Sequence, residues 1–476
     1  MTEIGVRPTA GPVFDPACLA RSFVEVLAAS SESPAALARR QAQRLVRLVD
    51  SARALSPLYR ERLRGITPGV TPMTQWPVVG KTELMRRFDD WVTDPALQLD
   101  ALNEFVADPA QIAQAFAGRW QVWQSSGSSG TPALFVQDAR AMAVYDALET
   151  LRRPHSPRLL SWLDPLGLAE RPAFIGATGG HFASLVAARR LQQLNPWMAG
   201  HLRCFSIQQR GAELLAQLQD FAPTVIATYP SVALWLAEEV AAGRLVVHPR
   251  EIWTGGETLS PAVRQQVQRQ FGCPLFNSYG ASEFLTLGWP CNQGRLHLNA
   301  DWALLEPVDE HYRPVPPGET SQTCLLTHLA QFSQPLIRYE LGDRIKVAAE
   351  PCACGSTLPV IEVEGRCDDA LLLSNANGAR IRLLPMALTT VLEEEAGLYD
   401  FQLRQQDARS LVLRLPVATA DAEAALLRAC RALRHYCAQQ GLRGLKLVGE
   451  TGPQWPSGHS GKHCRVIALP TQAPAN

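Results

Sequence analysis

Apolar residues recur at helical spacing through 19–29 and 35–55, with polar and charged residues between them, which predicts an amphipathic helical lead-in packed on a larger body. Ser56-Pro57 closes that lead-in. From 120 to 364 the pattern changes. Short apolar runs at 158–163, 173–177, 224–228, 251–254 and 274–277 alternate with amphipathic stretches such as 231–242 and 261–271. Strands followed by helices predict βα units and mainly parallel sheets, an α/β body. Beyond 365–366 the order becomes strand, turn at 375–378, strand, helix at 385–395, strands at 401–404 and 410–415, a long helix at 421–440 and a strand at 445–448. That is a small α+β unit. The division expected is a helical lead-in over 1–118, a core over 119–367 and a small mobile unit over 368–476, hinged at Asp368-Asp369.

Composition narrows the function classes. The chain has 476 residues, more than one hydrophobic core normally supports. Lysine plus arginine equals aspartate plus glutamate at 45 each, so no whole-protein field draws it to nucleic acid or an anionic membrane surface. An apolar run of bilayer-spanning length is missing, and the first 16 residues lack a basic segment followed by an apolar one, so a cytoplasmic address is expected. Eleven cysteines, an odd number spread over a long chain, disfavour a disulfide framework and direct attention to metal ligation. The oligomeric state, including a homodimer, is left open.

The segment Ser125-Ser126-Gly127-Ser128-Ser129-Gly130-Thr131-Pro132 lies between apolar runs at 120–123 and 133–136. Glycines admit positive φ, so consecutive backbone amides converge on an anion while hydroxyls add donors. A serine-glycine run by itself reads as a flexible linker as readily as a phosphate cradle; linkers seldom sit tightly between two strands. Further along come Gly255-Gly256-Glu257 after a strand, Tyr279-Gly280-Ala281-Ser282-Glu283, Arg338-Tyr339-Glu340-Leu341-Gly342-Asp343, Gly365-Arg366-Cys367-Asp368-Asp369 and Ser460-Gly461-Lys462.

In this order the segments resemble the motifs of the adenylate-forming superfamily. Ser56-Pro57-Leu58-Tyr59-Arg60, together with Pro77, Lys81 and Leu84, resembles the N-terminal signatures of its phenylacetate-CoA ligase branch. The resemblance implies a large AMP-binding domain and a mobile C-terminal one, with ATP, Mg²⁺, a small-molecule carboxylic acid and either coenzyme A or the phosphopantetheine of an acyl carrier protein as reactants. It also implies residue roles. Tyr279 would flank adenine, with Gly280, Gly255, Gly256 and Glu257 nearby; Ser282 would meet the α-phosphate; Glu283 would hold Mg²⁺; Asp343 would bind the ribose hydroxyls; Arg366 would contact ribose or phosphates. Lys462 would bridge carboxylate and α-phosphate. Thr131 departs from the pattern, standing where many relatives carry lysine or arginine. The acyl pocket is expected from Tyr229, Trp253, Phe284 and His181, aromatic walls that suit an aryl acid.

Cys291 and His297 flank an Asn292-Gln293-Gly294 turn, and Cys352 and Cys354 follow later. Three thiolates and an imidazole complete a closed tetrahedral zinc site; the bland alternative is one buried thiol and an exposed turn.

Overall fold

The computed structural model describes residues 11–125, 132–154, 169–364, 371–375, 377–398, 400–416, 421–453 and 465–469. The run expected at 158–163, the phosphate segment from Ser126 to Thr131, Arg366, the hinge at Asp368-Asp369 and Lys462 lie outside these residues.

Helices Pro16–Ser30, Pro34–Leu55 and Pro57–Arg62 each begin with proline immediately after an Asp15, Ser33 or Ser56 cap whose side chain accepts backbone N–H groups of the first turn. Their apolar faces join one core with Trp91, Trp120, Trp123, Tyr145 and Phe284, which fixes the lead-in onto the body. Among the described residues, no helix is long and apolar enough to cross a membrane.

The α/β expectation holds for 172–277. Strands Pro172–Gly176, Arg203–Ser206, Val225–Thr228, Glu251–Thr254 and Leu275–Asn277 form one five-stranded sheet in which every pairing is parallel. Its spatial order is second, first, third, fourth, fifth. The chain therefore reverses direction of winding between Pro172–Gly176 and Val225–Thr228, and such a switch point opens a crevice beyond the carboxyl ends of the strands.

The stretch from 279 to 364 differs from the βα alternation read in the sequence: it is antiparallel. One sheet runs Arg344–Val347, Val360–Glu364, Leu296–Leu298, Phe284–Pro290, Tyr279–Ala281; another pairs Ala303–Val308, Thr323–His328 and Tyr339–Glu340. The buried pair of Arg152 with Asp301, bidentate at 2.7 and 2.9 Å and joined by Asn299 at 2.6 Å, clamps helix Ala139–Arg152 onto this region.

The C-terminal unit carries a hairpin of Leu371–Ser374 and Arg380–Leu383, helices Pro385–Ala396 and Ala422–Gln439, and a sheet ordered Lys446–Thr451, Ser410–Leu415, Gln402–Asp407, Val466–Ile467. It shares one hydrophobic cluster with the parallel-sheet unit and also meets it through polar contacts. Gln440 accepts from the Gly211 amide at 3.2 Å and donates to the Gln209 carbonyl at 3.0 Å; Arg382 pairs with Glu238 at 2.9 Å; Gln208 donates to Glu394 at 3.2 Å.

Candidate active site

A cleft of ≈ 1580 Å³ opens at the carboxyl ends of the parallel strands, where Ala177, Tyr229, Gly255 and Ser278 leave the sheet. Strand order places it there.

Ser125 is fixed by two hydrogen bonds: its amide donates to the Ala133 carbonyl at 2.9 Å and its Oγ accepts from the Ala133 amide at 2.9 Å. The flanking strands Gln121–Gln124 and Leu134–Gln137 pair antiparallel as a hairpin stem. Trp123 Nε1 donates to the Ser282 carbonyl at 2.8 Å, joining this stem to the Tyr279–Glu283 motif.

That motif is a tight hairpin. A Cβ on Gly280 would stand 2.0 Å from the Leu285 carbonyl oxygen, so only glycine lets the strands approach. Tyr279 Oη donates to Asp343 Oδ2 at 2.8 Å, and Tyr339 Oη donates to Glu283 Oε1 at 2.8 Å. Burial pushes the Glu283 carboxyl above its ordinary value, partly offset by the Tyr339 hydroxyl and the charge of Lys81. Burial, reinforced by Asp343, likewise holds the Tyr279 phenol neutral. A carboxylate desolvated beside a cation in an open cleft is poised to receive a metal ion or a polar ligand.

On the opposite wall, Gly256 takes φ +78°, and a side chain there would press within 3.2 Å of the Tyr229 ring. Glu257 accepts from both the amide and the hydroxyl of Ser231 at 2.9 Å, capping helix Pro230–Ala241. Ser125, Gly255, Gly256, Glu257, Tyr279, Gly280, Ser282, Glu283 and Asp343 therefore all reach one cleft.

Tyr229 and Trp253 line the cleft together with Phe174. Two other expectations fail. Phe284 is fully buried, with its ring 5.3 Å from Tyr145 and 4.3 Å from His328, because strand alternation turns it away from the cleft. His181 is sealed against Phe105, its nitrogens without an aligned partner among the described residues. Burial holds it neutral. Residues that sequence reasoning missed are Asp146 and Arg190, a bidentate pair at 2.8 and 2.9 Å in the cleft wall, and Glu393 with Arg465, paired at 2.5 Å from the C-terminal unit. Helical spacing alone carries no signal for either.

Away from the cleft, the ligand atoms of Cys291, His297, Cys352 and Cys354 lie within 4.8 Å of one another. The Cys291 and Cys352 sulfurs are 3.8 Å apart, too far for a disulfide bond, and Cys354 Sγ is 3.3 Å from His297 Nε2. Two sulfurs on a tetrahedral zinc, each about 2.3 Å from the metal, stand roughly 3.8 Å apart. His297 Nδ1 sits 2.9 Å from the Leu358 carbonyl oxygen, which fixes Nδ1 as the donor and leaves Nε2 facing the thiols. The donor set fits zinc.

Comparison with known proteins agrees with this geometry. A family model described as AMP-binding enzyme matches residues 183–325. The phenylacetate-coenzyme A ligase of Thermus thermophilus is 34% identical over 171 residues, covering 34% of this chain and 38% of that protein. The Escherichia coli phenylacetate-coenzyme A ligase is 27% identical over 219 residues, 43% of this chain and 45% of that one. The matched segments thus span less than half the length of these curated relatives. A crystal structure of 2-hydroxyisobutyryl-CoA ligase, in complex with 2-HIB-AMP and CoA, superposes with a TM-score of 0.57 at 21% identity, over 92% of this chain and 91% of that one. Over the matched segments this chain is similar to AMP-binding enzymes and to two phenylacetate-coenzyme A ligases, and it shares the fold of an adenylate-forming ligase.

Proposed function

We propose that the protein is an AMP-forming acid-thiol ligase. The observation that carries this reading is the convergence of Ser125, Gly255, Tyr279, Ser282, Glu283 and Asp343 on one cleft at a topological switch point. A substrate carboxylate oxygen bonds to the α-phosphorus of ATP, the bond to the β-phosphate oxygen breaks, and pyrophosphate leaves with the electron pair. A thiolate then adds to the acyl carbon and AMP departs. The protein needs no nucleophile of its own; it positions and neutralises.

Asp343 accepts from the ribose hydroxyls once Tyr279 Oη yields its hydrogen bond, and Tyr279 covers the adenine. Glu283 binds the Mg²⁺ that accompanies ATP, and Ser282 meets the α-phosphate. Lys462 and Arg366 complete the adenylating site, with the 368–476 unit turning about Asp368-Asp369 between half-reactions. Phe174, Tyr229 and Trp253 favour an aryl acid such as a hydroxybenzoate or arylacetate. The thiol belongs to coenzyme A or to a carrier-protein phosphopantetheine. Cys291, His297, Cys352 and Cys354 hold a structural zinc: with every position taken by protein, the ion ties the turn after Phe284–Pro290 to the 348–359 loop and has no opening for substrate.

The deciding experiment is acid-dependent exchange of labelled pyrophosphate into ATP across a panel of aryl and acyl acids. Exchange with none of them sinks the adenylating reading. AMP release that does not respond to coenzyme A or a carrier protein reassigns the acyl group to a non-thiol acceptor.

A further inference from the structure

Charge is unevenly shared along the chain. Residues 371–476 carry twelve lysines and arginines against eight aspartates and glutamates, whereas residues 1–370 carry thirty-three against thirty-seven. The excess gathers on one face of the C-terminal unit. Helix Ala422–Gln439 buries Ala425, Ala429, Leu433 and Tyr436, which turns Leu427, Arg428, Arg431 and Arg434 outward. The three arginines recur at the i, i+3 spacing that aligns side chains along a helix.

Neighbouring segments extend this face. Arg434 donates to the Leu447 carbonyl at 3.2 Å, which lays its guanidinium over the start of strand Lys446–Thr451. The Lys446 amide donates to the Arg409 carbonyl at 3.0 Å, and the Arg409 guanidinium lies where a Cβ on Gly444 would stand 3.7 Å from it, next to Arg443. All five cations, Arg409, Arg431, Arg434, Arg443 and Lys446, are exposed. Among the described residues, the ion pairs of this unit are Arg382 with Glu238, Arg414 with Glu450 and Arg465 with Glu393, and none takes in a member of the cluster. Asp407 beside them is engaged by its own turn, accepting from the Arg409 amide at 2.7 Å and the Ser410 hydroxyl at 2.6 Å.

The make-up of the stripe narrows what it meets. Leu427, 63% exposed, precedes Arg431 and Arg434 by four and seven residues, so an apolar side chain and two guanidinia share one line along the helix. A free phosphate is held by donors that converge on it, not by cations spread along a helix and two turns. Nucleic acid is held by charge spread over a broad basic surface, and the rest of this chain is net acidic. An acidic helix answers both features: its carboxylates face the arginines while an apolar side chain covers Leu427. None of the five cations lines the cleft, whereas Met386, Thr390, Glu393 and Arg465 of the same unit do. A partner seated on the outer face therefore leaves the cleft free for the group it delivers.

We propose that this face docks the acidic helix of a small carrier protein, whose phosphopantetheine arm brings the acyl-accepting thiol to the cleft. Gln440, just past the same helix, bonds the Gly211 amide and the Gln209 carbonyl, so the docked partner rests beside the joint between the C-terminal and parallel-sheet units. Docking itself makes and breaks no covalent bond. This rests on the ligase reading above and selects the carrier over coenzyme A as bearer of the thiol.

The test is binding of an acidic holo-acyl carrier protein to the full chain, titrated at about 20 mM and about 300 mM salt, with exposed charges weakly and strongly screened. Three sequences are compared: wild type, Arg431→Glu with Arg434→Glu, and Arg431→Lys with Arg434→Lys. The wild type should bind, more weakly at the higher salt. The glutamate pair should weaken binding by about tenfold or more, and the lysine pair should keep most of it. Pyrophosphate exchange, and acyl transfer from supplied acyl-AMP to coenzyme A, should run at the wild-type rate in both variants. A wild type that does not bind the carrier, or binding that the glutamate pair retains, overturns the inference. So does coenzyme A transfer that falls in step with carrier binding, which assigns the arginines to the phosphates of coenzyme A, and so does equal arginine-dependent capture of a duplex DNA, which marks a general polyanion surface. Absence of exchange with every acid in the wild type brings down the ligase reading itself, a result separate from carrier binding.

Discussion

The antiparallel region from 279 to 364 presents two polar clusters, and they are built on opposite rules. The Cys291, His297, Cys352 and Cys354 cluster is closed: its ligand atoms face one another and the Leu358 carbonyl fixes the imidazole from behind. The Tyr279, Glu283, Tyr339 and Asp343 cluster is open. Each carboxylate there has one tyrosine hydroxyl and otherwise faces the cleft. A closed set spends its chemistry on holding the chain together, whereas an open set keeps hydrogen-bonding capacity for something that arrives.

The largest expected effect breaks the closed cluster. Structural zinc binding of about 10 kcal/mol is folding free energy, so Cys352→Ser or a strong chelator should release one zinc and lower the melting temperature sharply. Elemental analysis with a thermal melt checks this; a chain that melts unchanged without metal refutes the site. Next comes the open cluster. Asp343→Ala should weaken both AMP and MgATP by on the order of 10- to 100-fold while leaving the melting temperature nearly alone. Calorimetry beside a melt separates it from the zinc variant.

Glu283 sharpens the contrast through pH. Its folded pKa is raised above the ordinary 4.5, so its stabilising contribution is fully present below 4.5 and is lost as pH rises through the folded value. Mg²⁺ needs the ionised form, so Mg²⁺-dependent ATP binding should fail on acidification earlier than an exposed glutamate would allow. Glu283→Gln should flatten both profiles, measured as urea stability and ATP affinity from pH 4.5 to neutrality. The smallest effect belongs to Tyr279→Phe, which removes one hydroxyl contact to Asp343 and should change AMP affinity by about 1 kcal/mol or less.

Much of this was legible in the residues. The strand Glu251–Thr254 and the helix Pro261–Phe271 fall where apolar runs and a Ser260-Pro261 start place them, and the thiol-imidazole set is visible from its spacing. Strand Arg203–Ser206 was not, because four residues with one fully buried side chain carry no periodicity. Phe284 was misread although the signal existed: if Glu283 faces the cleft, the next side chain of an extended chain faces away. His181 is a pocket residue only by the family resemblance, and the structure buries it against Phe105 instead. Lys81 and Glu393 reach the cleft through pairings more than two hundred residues distant or from the separate C-terminal unit, which local patterns do not encode.

The reversed winding between Pro172–Gly176 and Val225–Thr228 has a consequence for how such a protein diversifies. A cavity produced by connectivity survives whatever decorates it, since removing it would require rethreading the chain. On the proposed ligase function, acceptance of a new acid would be sought by exchanging Met142, Phe174, Ala187 or Trp253, which line the cleft walls.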